Sequence, residues 1–444
     1  MAIQPTPLNP EQLERNFADI APALSRNEAL LEASRCLFCY DAPCTRACPT
    51  HIDVPKFIRQ ILDRNPLGAA RTIFSANILG GACARACPTE VLCEGDCVLH
   101  GLNEKPIQIG LLQRFATDHA MAKGVQFFER GADTGKRVAV IGAGPAGLAC
   151  AHELAKHGVE AVIFEAKEIA GGLNAYGIAA YKMTTDFALA EVEYVKQIGI
   201  DIRTNTPIGA NLPVTKLLAD YDAVFLGVGL GKTAALRIPG EEMEGVYEAL
   251  DFIMPTRLQK MQECVVGENV LVIGAGNTAI DVATAARRLG ANSVTIVYRR
   301  GETEMPAFKY EYELAKADGV KFLWHTVPQK IVAENGKVAG LQCVKAKSSA
   351  KDANVELLAG SEHTLPCDMV VAALGQDPLY DLYKTIPNLA VQGKKVVIDA
   401  NTGATSVQGL FAGGDCVNGG GEVVDAVEMG KVAARGIKNY LFES

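Results

Sequence analysis

The sequence is 444 residues long, and none of its apolar runs approaches the roughly 20 residues that a membrane-spanning helix needs. Its hydrophobic stretches are strand-length and broken by glycine. Blocks of basic residues are also missing, and the net charge is −8, so nucleic-acid binding is not expected. The opening segment, MAIQPTPLNPEQLERNFADI, has no basic stretch followed by an apolar core, which argues against a secretory signal. Low-complexity tracts and long linkers are lacking too. What is present is an ordinary globular balance, 49% hydrophobic and 21% charged, with enough chain for about three domains. A cytoplasmic protein without nucleic-acid or membrane partners is the expectation, and a reducing compartment disfavours structural disulfides.

Against that background the cysteines stand out. Eight of the 13 fall in two groups, CLFCYDAPCTRAC and CARACPTEVLC followed by EGDC. The first group is Cys36, Cys39, Cys44 and Cys48; the second is Cys83, Cys87, Cys93 and Cys97. Thiolate sulfur suits zinc or iron, and four ligands suit one tetrahedral ion or one cubane cluster. Both groups contain C-x3-C-P or its equivalent, the ending seen in ferredoxins where one cysteine of a run ligates the other cluster. Zinc sites more often pair two short C-x2-C arms, and the second group has none. Two iron–sulfur clusters are the favoured reading, with zinc or free thiols as alternatives. His51 and His100 read as surface residues. Spacing by itself makes Cys83 a ligand.

Beyond residue 134 the texture changes. RVAVIGAGPAGLACAHELAKHGVEAVIFEA reads as strand, glycine turn, helix and strand, with Gly142, Gly144 and Gly147 forming GxGxxG. Such glycines let the backbone approach a pyrophosphate at a helix N-terminus, and Glu165 ends the second strand where a carboxylate can bind ribose hydroxyls. Gly171, Gly172 and Leu173 form a second close-approach turn. Near the C-terminus, LFAGGDCVNGG supplies Gly414 and Asp415 as partners for a flavin, and the following helix directs its N-terminus at the flavin ring. FAD is therefore expected in this first fold. Cys150 and Cys416 read as packing residues, and no closely spaced cysteine pair suggests a thiol relay.

The texture recurs in ENVLVIGAGNTAIDVATAARRLGANSVTIVYRR, where Gly274, Gly276 and Ala279 give GxGxxA and Asn277 and Thr278 open the helix. The second strand ends in Tyr298, Arg299 and Arg300, with no acid where NAD recognition would place one. Guanidinium groups there fit a 2′-phosphate, which leans the NAD(P)H choice to NADPH. Asp281 is open between a place near the nicotinamide and support of the helix.

Taken together, these residues resemble the electron-input half of dihydropyrimidine dehydrogenase, and more distantly the glutamate synthase small subunit. CLFCYDAPCTRACPT, IFSANILGGACARACPTEVLC and PIQIGLLQRFAT carry the resemblance to the former, in its separate bacterial, PreT-type form. It implies an α/β fold class: an N-terminal all-helical iron–sulfur domain (1–134), then two Rossmann-like dinucleotide-binding domains. The FAD domain would span 135–231 and 375–444, with the NAD(P) domain (232–374) inserted in it. It also implies that Cys36, Cys39, Cys44 and Cys97 hold one 4Fe-4S cluster. Cys48, Cys87 and Cys93 would hold the other with Gln113, leaving Cys83 a bystander. The implied cofactors are FAD, two 4Fe-4S clusters and NAD(P)H. The implied partner is an FMN-containing, pyrimidine-reducing subunit of PreA type in a heterotetramer, reducing uracil or thymine. The chain itself supplies no candidate general acid for that ring reduction. The alternative of the same class is a glutamate synthase small subunit or NADH–ferredoxin oxidoreductase subunit; the other is a zinc-structured scaffold. Two features depart from the family pattern: Ala179 and Ala180 stand where relatives have a proline, and the loop after Arg300 offers only Lys309 as a further cation.

Overall fold

The architecture was read from a computed structural model, which describes residues 3–348 and 355–443. The chain forms two compact units.

The larger unit comprises Ile20–Ala175, Lys182–Leu230 and Pro378–Ser444. Its first part is helical. The helix Arg26–Ser34 starts with a capping box between Ser25 and Glu28 and stops before Cys36. The helix Val54–Leu62 begins at an Asp53 cap with Pro55 in its first turn and buries Val54, Phe57, Ile58 and Ile61. Pro66–Ala76 follows from an Asn65 cap. The glycine pair Gly80 and Gly81 opens the next helix, Gly80–Ala86, where no larger residue fits. The reason is steric: a Cβ on Gly80 would lie 2.4 Å from Ile73 Cγ2, and one on Gly81 2.5 Å from Phe187 Cζ. Ile109–Ala122 completes the helical part.

The same unit holds a five-stranded parallel sheet ordered Leu410–Ala412, Ala223–Leu226, Arg137–Ile141, Glu160–Phe164, Asp201–Arg203. Its central strands are buried, as apolar runs covered on both faces must be. The 20-residue terminal helix Val423–Phe442 lies along the helix Pro145–Lys156. They approach so closely that a Cβ on Gly430 would stand 2.2 Å from the Ala146 carbonyl oxygen.

The smaller unit comprises Met1–Asp19, Tyr176–Tyr181 and Gly231–Asp377. Its parallel sheet runs Lys321–Leu323, Ser293–Val297, Asn269–Ile273, Met369–Ala372, Val246–Glu248. An antiparallel sheet built on the long strands Thr326–Glu334 and Lys337–Lys347 accompanies it. Residues 3–19, which the sequence reading assigned to the helical domain, belong here. Gln4–Pro5 pairs with Val265–Val266, Thr6 Oγ1 donates to Leu289 O at 2.5 Å, and Leu13 and Phe17 join this unit's core. Sequence order alone could not indicate this, because the paired strand and Leu289 lie more than 250 residues away.

Alanine at Gly430 should lower stability by about 1–3 kcal/mol through overpacking against Ala146. Alanine at Gly101, where a Cβ meets nothing within 4 Å, should leave the thermal midpoint unchanged. Equal midpoints for both variants would contradict the close packing of these helices.

Candidate cluster and dinucleotide sites

Cys36, Cys39, Cys44 and Cys97 line a single open cavity, walled by Pro43, Pro55, Ile58 and Ile109 among others. Two residues between these cysteines have left-handed backbone, Phe38 (φ 51°) and Ala42 (φ 26°). For L-residues this is costly, and it is held by surrounding contacts, including the Arg59 guanidinium 4.2 Å from the Phe38 ring centroid. A second cavity is lined by Cys48, Cys83, Cys87, Cys93 and Gln113, together with Asn77 and Val424. The two sequence groups thus exchange members: Cys97 joins the first three cysteines, and Cys48 joins the second group.

The second cavity has five candidate donors for four positions. Gln113 is 7% exposed, and its amide nitrogen donates to Gly80 O at 2.6 Å, leaving the amide oxygen as the atom able to ligate. Cys83 is buried, receives a hydrogen bond from Asn77 Nδ2 at 3.1 Å, and is hydrogen-bonded to Cys87. It lies on the cavity wall and has polar partners there.

Burial, followed by the neighbouring Cys36, pushes the Cys44 thiol up to about 12; burial also raises Cys36 and Cys93. A hydrogen bond with Cys83 and burial raise Cys87. Thiols crowded in this way keep their protons unless a cationic centre takes up the charge, and cluster irons supply one. Among the described residues, no three His, Cys, Asp or Glu side chains converge as ligands of a single ion do. The cysteines surround two cavities, an arrangement with room for multi-atom clusters. All thirteen cysteines are without disulfide partners, and His51 and His100 line neither cavity.

A residue with no obvious sequence signal supports the second cavity. Glu191, from the helix Thr185–Lys196, accepts from the Gly81 and Ala82 N–H groups at 2.9 and 3.1 Å, at the start of the helix bearing Cys83. Arg85 lies between the Phe187 ring, 3.5 Å from its centroid, and Asp118, with both carboxylate oxygens at 2.8 Å. Lys431 of the terminal helix donates to Ala76 O at 2.6 Å, tying that helix to the segment before the cavity.

The first glycine turn has the shape a dinucleotide requires. Gly142 has φ 100°, and a Cβ there would lie 2.4 Å from Gly227 O. A Cβ on Gly147 would lie 1.9 Å from Gly142 O, and one on Gly172 2.7 Å from Gly144 Cα. Side chains at any of these positions would fill the cradle or break its packing, so the residues fit a bound FAD pyrophosphate. Glu165 is set at the strand end by accepting from Ala143 N at 2.8 Å and Lys167 N at 2.9 Å. Asp415 begins the short helix Asp415–Asn418 after Gly414 (φ 79°) and accepts from Gly421 N at 3.1 Å; burial raises its pKa. Leu173 is exposed at the start of a short helix.

In the smaller unit, Gly274 (φ 124°) would place a Cβ 2.2 Å from Ala373 O, whereas Gly276 faces open space where a pyrophosphate can approach. Asn277 accepts from Phe308 N at 3.0 Å, and Thr278 is exposed. Asp281 is taken up by packing: it accepts from Tyr181 Oη at 2.8 Å in the buried core. Arg299 is exposed and makes no ion pair among the described residues, while Arg300 is half-buried with Glu304 Oε1 3.9 Å from its Nε. Ala179 and Tyr181 are buried in this unit, so the segment lacking the family proline is anchored here.

Glu191 makes a pH prediction. Burial, opposed by the Ala82 and Gly81 N–H groups and Arg85, raises its pKa from 4.5 to about 8. The folded chain then binds this proton more tightly than the unfolded chain, so its contribution is greatest below pH 4.5 and is lost as pH rises towards 8. Thermal midpoints measured across that window should fall less steeply for Glu191→Gln than for the wild type. Parallel curves would remove Glu191 as the cause.

Comparison with known proteins agrees with this geometry. Residues 13–125 match the family model described as dihydropyrimidine dehydrogenase domain II, 4Fe-4S cluster, and residues 136–430 match pyridine nucleotide-disulphide oxidoreductase. The chain is 37% identical to the glutamate synthase [NADPH] small chain of Escherichia coli (strain K12), covering 98% of this chain and 96% of that one. It is 36% identical to the NAD-dependent dihydropyrimidine dehydrogenase subunit PreT of Salmonella typhimurium, covering 97% and 99%. Among solved structures, Mycobacterium tuberculosis FprA in complex with NADPH shares the fold, with a TM-score of 0.58 and 19% identity over 69% of this chain and 85% of that one. No helix of the described residues is long and apolar enough to cross a membrane. The chain belongs to the family of NAD(P)H-oxidising FAD and 4Fe-4S electron-input subunits that includes PreT and the glutamate synthase small chain.

Proposed function

We propose that this chain is the electron-input subunit of a dihydropyrimidine dehydrogenase, delivering electrons from NAD(P)H to an FMN-containing, PreA-type partner that reduces uracil or thymine. Identity over the whole chain does not separate this reading from a glutamate synthase small subunit, since the two relatives are 36% and 37% identical. The observation that carries it is Gln113, because the resemblance to the glutamate synthase small subunit would imply glutamate at this position. It is buried on the wall of the second cavity with its amide nitrogen engaged by Gly80, which supports an oxygen ligand beside Cys48, Cys87 and Cys93. Cys36, Cys39, Cys44 and Cys97 would hold the other cluster. A cytoplasmic setting, where thiols stay reduced, accompanies this reading.

The chemistry the bound groups supply is hydride acceptance at the flavin and one-electron carriage at the clusters. The chain's own residues position and insulate. Gly142, Gly144, Gly147 and Gly172 leave room for the flavin pyrophosphate, while Glu165 and Asp415 present carboxylates to its sugar and ribityl hydroxyls. Val424, in the first turn of the terminal helix, lines the second cavity, so the flavin-binding helix and that cavity are continuous. The first cavity lies on the exposed side: Leu37 and Val98 line it at 54% and 37% exposure, and Tyr40, next to Cys39, is fully exposed. This apolar rim supports a partner subunit docking there. Arg299 and Arg300 lean the nicotinamide choice to NADPH, and the heteromer would be a heterotetramer.

The purified chain should carry about eight irons. Gln113→Ala should change one cluster's electron paramagnetic resonance signal while Cys83→Ala leaves both intact; the opposite pattern would exchange the two assignments. Alone, the chain should oxidise NAD(P)H with an artificial acceptor but not reduce uracil, and turnover without a partner would refute the subunit reading. Tyr40→Asp should weaken co-purification with an FMN partner at least tenfold while leaving artificial-acceptor activity unchanged. Undiminished capture would move the docking face elsewhere.

A further inference from the structure

The strand that should end in a ribose-reading acid ends in Arg299 and Arg300, yet the fold brings a carboxylate to the same place. After Arg300 the chain makes a single 3-10 turn, Glu302–Glu304, which doubles Glu304 back on the strand end. Glu304 Oε2 accepts from Gly301 N at 3.1 Å and from Ser348 Oγ at 2.5 Å. Its Oε1 lies 3.9 Å from Arg300 Nε. The turn is anchored on both sides. Tyr298 Oη donates to the Glu304 carbonyl at 3.1 Å, and His325 N donates to the Arg300 carbonyl at 3.0 Å. The His325 ring faces the same spot, 3.5 Å from Ser348 Oγ. The Ser348 hydroxyl and Gly301 N–H hold the Glu304 carboxyl below the usual carboxylate range, so it is ionised at neutral pH.

A carboxylate fixed here acts in two opposite ways on the two dinucleotides. It stands 3.9 Å from Arg300 Nε, where it offsets the Arg300 charge and repels the phosphate that the arginine pair would attract. A 2′-hydroxyl, by contrast, can donate to it, which is the role an acid at the strand end plays in NAD-selective turns. We propose that Glu304 is a specificity-determining residue of the nicotinamide site, acting against the 2′-phosphate and thereby holding the preference of Arg299 and Arg300 for NADPH to a small one. Ser348 is a positioning residue that keeps Glu304 in place. This inference rests on the reading of the arginine pair as the 2′-phosphate site.

The test uses the holoprotein and two readouts: calorimetric titration with NADP+ and NAD+, and kcat/KM for NADPH and NADH with an artificial acceptor. Glu304→Gln keeps the shape and removes the charge, and should raise selectivity for the phosphorylated dinucleotide about tenfold in both readouts. Ser348→Ala should shift it the same way by less. An unchanged selectivity in Glu304→Gln, or a parallel loss of affinity for both dinucleotides, overturns the proposal. Arg299→Ala separates the underlying reading: if NADP+ affinity is unaffected, the arginine site itself is misassigned. If NADP+ affinity falls while Glu304→Gln is silent, only the role of Glu304 fails.

Discussion

The contact on which the larger unit depends is the approach of the terminal helix to the helix after the first glycine turn. At Gly430 and Ala146 the two backbones come too close for a Cβ, so the C-terminal segment is locked against the segment that begins the flavin domain, some 280 residues earlier. That lock places Asp415 at the dinucleotide cradle and Val424 on the wall of the second cysteine cavity. One steric constraint thereby joins the flavin region to the clusters. Glu191 and Lys431 reinforce the junction through hydrogen bonds to backbone groups around the helix Gly80–Ala86.

Charge burial is the second organising term. The cysteines of both cavities lie close together in partly apolar surroundings, where free thiolates would repel each other. Protonated thiols sit there uncharged, whereas thiolates need a cationic centre to compensate them, which cluster iron would supply. The proposed ligand set of the second cavity rests on the surroundings of Cys83 and Gln113. Cys83 shares the wall with Cys87 but receives a hydrogen bond from Asn77, whereas Gln113, a weak ligand by itself, has its nitrogen tied down so that its oxygen is left to coordinate.

The proposed cofactor selection follows a similar logic in the smaller unit. A cationic strand end is a strong attraction for phosphate, and a nearby carboxylate moderates it. Relatives whose names specify NADPH and NAD stand at nearly the same identity to this chain, so overall identity does not assign its preference.

Much of this protein was legible in local sequence. Apolar strands followed by glycine turns have one economical structure, because the helix must pack against the strand and the backbone must turn tightly between them; hence both parallel sheets, Glu165 and the glycine cradles were readable. The cysteine groups announced clusters through ligand type and number. Spacing alone could not divide the cysteines between two cavities, although the family resemblance did, because Cys97 meets Cys36 and Cys48 meets Cys87 only once several helices have packed. It also could not reveal that residues 3–19 join the nucleotide unit, that Asp281 is committed to Tyr181, or that Glu191 supports the helix of the second cavity. The same holds for Glu304: the strand end lacks an acid in sequence, and a single tight turn supplies one in space. Local patterns are written in periodicity and glycine, whereas these contacts depend on distances closed by the whole chain, and only the tertiary structure decides them.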